Sequence, residues 1–316
     1  MGGLYVVLGA AGAIGGAVVR ELAGRGAPVR AVTRNAGVRW PDGIEACVAD
    51  LSSLRDALRA CEGAEVVYHC AQPAYDRWRE AFPPLNAAIA EAASRCGTKL
   101  VLADNLYMYG PIAGPIREQT PQLPASRKGR LRKRLADELL GRHGDGGLRV
   151  AIGRASDYYG PGGRASVAGD VLFEAAVAGR SVRWPASADQ PRTFSYLPDV
   201  ARALVTLGER DEADGRAWIL PAAPPVTARE LVGLLERALG RSVSLAVTSR
   251  LSMRLAGIVI REARELPDIW YQFAAPFVVD ASRFEATFGP LPATAHEVGV
   301  AETVDWFQSL RVGKPG

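Results

Sequence analysis

Histidine is nearly absent from this 316-residue chain, at three residues, and cysteine and methionine are almost as rare, at four and three. Cys47, Cys61, Cys70 and Cys96 have no metal-type spacing and are too few to staple a chain of this length, so they read as buried thiols in a reducing compartment. The histidines make no cluster with aspartate or glutamate at ligand spacing, so no metal site is expected. No Gly-x-Ser-x-Gly elbow occurs, which argues against a serine hydrolase. No stretch offers about twenty uninterrupted apolar residues, as a membrane span would need. The apolar start has no basic segment before it and is soon broken by glycine, unlike a signal peptide, so a cytoplasmic location is expected. Lysine is scarce beside arginine, and a net charge of +4 is spread along the chain, which is not the footprint of a nucleic-acid binder. There is no internal repeat and no long linker.

The N-terminus is the most informative stretch. Leu4-Tyr-Val-Val-Leu8 runs into Gly9-Ala-Ala-Gly12-Ala13-Ile14-Gly15 and then an Ala/Val/Leu-rich segment to Leu22. This order predicts a strand, a phosphate-binding turn and a helix. One glycine permits the sharp turn, one lets backbone N–H groups approach a pyrophosphate, and one allows close helix–strand packing. The helix N-terminus adds donors and partial positive charge.

Further strands are expected at Pro28–Val32, Ile44–Val48, Ala64–Tyr68 and Lys99–Ala103. Helices are expected at Leu54–Ala60, capped by Ser52 or Ser53, and at Pro84–Ser94. Such alternation predicts an α/β fold, a doubly wound parallel sheet of Rossmann type covered by helices on both faces. Ligands of such sheets lie beyond the carboxyl ends of the strands, which marks Gly9–Gly15, Arg34, Asp50, His69–Ala71 and Asp104-Asn105 as one rim. The second strand ends at Thr33-Arg34-Asn35 without an acidic residue. Arginine there suits a 2′-phosphate, so NADP is expected in preference to NAD, which the turn also accommodates. The second half is less regular. Helices at Ala228–Leu239 and Leu251–Arg264 suggest a smaller, mostly helical lobe closing a cleft over the rim for a small-molecule substrate.

With these residues in place, the chain resembles the extended short-chain dehydrogenase/reductase superfamily, in its epimerase/dehydratase branch. Gly9-x-x-Gly12-x-x-Gly15 matches the branch's cofactor turn, and Asp50-Leu51 its adenine-contacting pair. His69-Cys-Ala71 resembles the cofactor-lining segment, and Tyr109-Gly110 the Tyr-Gly after the active-site strand. Arg154-Ala-Ser-Asp157-Tyr-Tyr-Gly160 resembles the lead into the substrate lobe, and Arg192 to Val200 the return to the core. The resemblance implies a dinucleotide-binding domain over 1–155 with 193–222 returning to it, and a substrate lobe of 156–192 and 223–316. Members often pair through core helices, and a homodimer is consistent with that.

The expected catalytic set departs from this pattern. The family uses a Ser or Thr four residues before the Tyr-Gly tyrosine, where Asn105 stands here, and a Tyr-x-x-x-Lys pair on the next helix, which occurs nowhere in this chain. A helix is expected from about Ser126, with Leu131, Leu135 and Leu139 as its buried stripe. Aligning Glu138 with a glutamate common in that helix puts Arg130 and Arg134 at the Tyr and Lys positions; a shifted register would bring Lys128 in. Arginine stays protonated and is a poor proton shuttle. Asp104, Asn105, Tyr107, Tyr109 and Asp157 are the remaining candidates, the aspartates as acid/base groups and Asn105 as a donor to a carbonyl or oxyanion. Three readings stand: an NADP-dependent reductase or epimerase, a redox-neutral cyclase, isomerase or dehydratase using Asp104 or Asp157, and a non-catalytic NADP sensor.

Overall fold

The computed structural model describes residues 3–253 and 266–312. Its centre is a seven-stranded sheet in which every ladder is parallel. The strands are β1 (Leu4–Leu8), β2 (Val29–Thr33), β3 (Ile44–Val48), β4 (Ala64–His69), β5 (Lys99–Asp104), β6 (Val150–Arg154) and, from much later in the chain, Arg216–Ile219. The order is β3-β2-β1-β4-β5-β6 with Arg216–Ile219 at the far edge, the doubly wound arrangement.

Covering on both faces explains the unbroken apolar strands. Val7 points to one side, packing with Val18, Leu22 and Leu204, while Val6 and Leu8 point to the other, packing with Ile89, Leu100 and Leu139. The first side carries α1 (Ala13–Gly24), and the second carries α2 (Leu54–Cys61), α3 (Trp78–Arg95) and α4 (Arg127–Gly144). The predicted cap of α2 is Ser53, whose side chain accepts from the Asp56 N–H. The helix expected from Pro84 begins six residues earlier, at Trp78, with Pro83 and Pro84 inside it. Burial of Trp78 and Phe82 against Leu135 outweighs the backbone donors lost at the two prolines.

A separate apolar cluster around Phe173, Trp184, Phe194, Leu235, Phe273 and Phe307 forms the second lobe. Two short parallel pairs run through this mostly helical lobe, Asp157–Tyr159 with Phe194–Tyr196 and Val182–Pro185 with Leu245–Thr248. The helix predicted at Ala228–Leu239 has those bounds, set by a capping box between Thr227 and Glu230 and by left-handed Gly240. The helix predicted at Leu251–Arg264 falls mostly outside the described residues. Among the described residues, no helix is long and apolar enough to cross a membrane.

Candidate functional site

A cavity of about 670 Å³ opens at the carboxyl ends of β1, β2 and β4. Its floor is the glycine turn, where each glycine answers a different constraint. Gly9 has φ +77°, and a Cβ on it would lie 2.5 Å from the Ala71 Cα. A Cβ on Gly15 would lie 2.3 Å from the Gly9 carbonyl oxygen, so α1 packs onto the turn only because that residue is bare. Gly12 is the N-cap of α1 and lines the cavity. The first turn of α1 has no side-chain cap and no acidic residue, leaving its backbone donors for an anion. Ala13 and Ile14 line the same wall, whereas Gly15 packs behind it.

The ends of β2 and β3 form the next side. Thr33, Arg34 and Asn35 line it together with Asp50, Leu51 and Ser52. Hydrogen bonds from the Ser52 hydroxyl and N–H hold the Asp50 carboxyl below its usual range, and the Arg34 charge adds to this. Arg34 is exposed on the rim, in reach of whatever occupies this end.

The segment after β4 lines the cavity through Cys70, Ala71, Gln72 and Pro73, but the His69 side chain does not. It is buried behind the wall against Phe82 and beside Asn86. Burial, helped by the Arg132 charge, pushes its pKa down to about 3. The unfolded chain therefore binds a proton here below about pH 6.5 that the native protein refuses, so stability falls with pH between about 6.5 and 3. Urea unfolding at a series of pH values should show this slope, and His69→Gln should flatten it. An unchanged slope in His69→Gln would assign the acid sensitivity to other groups.

Asp104 is also withdrawn from the cavity. Its Oδ1 accepts from Arg132 Nε at 2.7 Å and from the Asn105 N–H at 2.8 Å, and its Oδ2 accepts from Arg154 Nε at 3.2 Å. All three side chains are at most 1% exposed. Both oxygens are committed to this buried triad, which does not suit the expected acid/base role. Tyr109 is equally structural: its hydroxyl accepts from Arg154 Nη1 at 2.8 Å and it is fully buried. Asn105 is half-buried, and its Oδ1 accepts from the Tyr107 N–H, closing the turn after β5.

The register of α4 differs from the expected alignment. Arg130 and Arg134 face solvent, Arg130 donating to the Pro124 carbonyl and Arg134 pairing with Glu138. The buried stripe is Lys128, Arg132, Leu135, Ala136 and Leu139, and Leu131 is only half-buried. Lys128 and Arg132, four residues apart, are thus the cationic pair that the helix turns toward the sheet. Arg132 pairs with Asp104, and Lys128 Nζ lies 3.9 Å from the centre of the Tyr75 ring. An alignment on Glu138 hid this. The cap at Ser126, whose hydroxyl accepts from the Gly129 N–H, is the local signal that sets the register.

Asp157 is held by Arg192, which is buried among Trp184, Phe194 and Phe273 and also donates to the Gln272 carbonyl at 3.0 Å. The neighbouring Tyr158 does line the cavity, and burial followed by the Asp157 charge pushes its phenol up to about 12. Tyr75 and Trp78, packed edge to face at 4.9 Å, complete an aromatic wall. Neither was singled out by motif, because they sit in a loop and first helical turn whose placement depends on the sheet. Tyr107 lies behind Tyr75, its phenol held well above the usual range by burial, with Tyr75 and Asp157 adding to this. Among the described residues, no group of three or more His, Cys, Asp or Glu could hold a metal ion.

Residues 5–220 match the family model described as the NAD dependent epimerase/dehydratase family. Among solved structures, the chain is similar to the UDP-glucose 4-epimerase of Thermus thermophilus in complex with NAD, at 20% identity and TM-score 0.78, over 96% of this chain and 99% of that one. It is also similar to the Thermotoga maritima UDP-glucose 4-epimerase with UDP-glucose, at 20% identity and TM-score 0.80 over 98% and 99% of the two chains. DesIV, a dTDP-glucose 4,6-dehydratase from Streptomyces venezuelae with NAD bound, matches at 20% identity and TM-score 0.78 over 98% of each. These likenesses establish a common fold over nearly the whole chain. No curated protein matches it.

Proposed function

Because this chain belongs to the NAD-dependent epimerase/dehydratase family, we propose that it binds a nicotinamide dinucleotide, NADP(H) ahead of NAD(H), and reduces or epimerises a small hydroxylated or carbonyl compound. The observation that carries this reading is one cavity shared by the uncapped glycine turn, Arg34 and the aromatic wall. Ala13 and Ile14 offer backbone donors to a pyrophosphate, with bare Gly12 beside them, its own N–H held by the Gly9 carbonyl at 2.9 Å; Arg34 offers a guanidinium to a 2′-phosphate, and Asp50-Leu51 frame the adenine end. Bound there, the dinucleotide supplies hydride chemistry at its nicotinamide ring. Tyr75, Trp78 and Tyr158 shape the remaining space for the substrate and exclude water from it. We take residues 156–192 and 223–316 as the lobe that selects the substrate.

The redox-neutral reading relied on Asp104 or Asp157, and both carboxylates are committed to arginines. Two of the similar structures are of enzymes named for UDP-glucose and one for dTDP-glucose. A nucleotide-linked hexose is therefore the first compound to assay.

Trp78 in the cavity wall makes intrinsic fluorescence a direct probe of binding. NADPH should quench it at lower concentration than NADH. Arg34→Ala should weaken NADPH about ten- to a hundredfold, the loss of one charge-assisted contact, and leave NADH unchanged. Equal responses to the two dinucleotides would remove the NADP preference. Quenching without NADPH consumption across hexose and simple carbonyl substrates would favour a sensor.

A further inference from the structure

We propose that Tyr75 and Lys128, brought together from different elements, are the acid/base pair of this cavity, with the Tyr75 phenol giving its proton to a carbonyl oxygen bound there. The pairing rests on the reductase or epimerase reading above.

Two tyrosines line the cavity, Tyr75 and Tyr158. The charge acting on Tyr158 among the described residues is that of Asp157, which disfavours a phenolate. Tyr75 has a cation over its ring. Lys128, itself 8% exposed, places its ammonium 3.9 Å from the ring centre, where it stabilises negative charge developing on the phenol. Lys128 also sits in the first turn of α4, so the helix N-terminus adds to the same field. The Tyr107 hydroxyl is 3.4 Å from that of Tyr75, a long contact that shortens as charge builds on the Tyr75 oxygen. Among the described residues, the other charged groups nearby are Asp76 and Arg77, in the same 3₁₀ turn, and Asp157, which acts on Tyr107 and is itself paired with Arg192.

In the reducing direction, the Tyr75 Oη–H bond breaks and a substrate O–H bond forms, leaving the electron pair on the phenolate oxygen. The hydride for the carbonyl carbon would come from the reduced nicotinamide named above, which would leave an alcohol and the oxidised dinucleotide. Water then returns a proton to Tyr75. In the oxidising direction the phenolate accepts the alcohol proton. No Tyr-x-x-x-Lys spacing records this pair, since its two halves lie on the loop after β4 and on α4.

The test uses Tyr75→Phe, Lys128→Met and Lys128→Arg in the full chain. Tyr75→Phe should slow NADPH-dependent turnover by about 10²–10⁴-fold, the usual worth of a positioned acid/base. NADPH quenching should be retained. Phenol absorbance titration of the unliganded protein supplies a second readout. Lys128→Met should move the titration curve to higher pH, Lys128→Arg should restore it, and Lys128→Met should have no such effect in a Tyr75→Phe background. Wild-type turnover in Tyr75→Phe would overturn the pair and leave the reductase reading standing. A Lys128-dependent Tyr75 titration in a protein that consumes no NADPH would support the pairing and reject that reading. A titration indifferent to Lys128 would overturn the pair outright.

Discussion

Asp104→Asn is expected to lower the unfolding free energy by about 3–5 kcal/mol, the cost of leaving buried charges without their partner. The substitution hardly changes volume, so the loss is electrostatic. Arg132 and Arg154 bind different oxygens of the carboxylate, and neither has solvent to fall back on. Among the described residues, Arg132 then retains the Ala103 carbonyl at 3.2 Å, and Arg154 the Tyr109 hydroxyl. Urea unfolding of the wild type and the variant measures the difference. Adding Arg132→Met should recover part of it, because one uncompensated charge is then removed as well. A variant as stable as the wild type but inactive would return Asp104 to the role of proton donor or acceptor, against the geometry described above.

Gly9→Val should be the most damaging substitution in the turn. Its backbone lies in the left-handed region, where a side chain costs about 1–2 kcal/mol. The added Cβ would also lie 2.5 Å from backbone of Ala71, and such overpacking costs a further 1–3 kcal/mol or so. Relief requires the β1 turn and the segment after β4 to separate, and both line the cavity. Loss of NADPH quenching should therefore accompany the loss of stability. Gly26→Ala is the control: it has a similar φ of +70° but open space around it, so only the strain remains. Comparable damage from the two substitutions would show that strain, and not the close approach to Ala71, governs the turn.

Much of this was legible from local pattern. The strand–turn–helix at Leu4–Gly24, the strand ends carrying Arg34 and Asp50, and the capped helix Ala228–Leu239 each follow from signals within about a dozen residues. The departures are of another kind. His69, Asp104 and Tyr109 are polar residues at or just beyond strand ends, and their positions on the rim suggested that they face ligand. All three turn inward instead: Asp104 and Tyr109 because Arg132 and Arg154 are buried beside them and need partners, and His69 because it packs against Phe82 behind the wall. Whether a polar side chain at a strand end faces ligand or core depends on what the next layer supplies, and that layer arrives from distant sequence.

The sequence by itself determined the α/β framework, the glycine turn and the choice of a basic residue at the end of β2, since these rest on periodicity, bare Cα positions and residue type. Only the tertiary structure decided which charges are available for chemistry. It sank Arg132 against Asp104, left Arg130 and Arg134 in solvent, and set Lys128 over Tyr75. The physical reason is that a one- or two-residue shift in helix register exchanges the buried face for the exposed one, and that register is settled by a cap and by packing across the sheet.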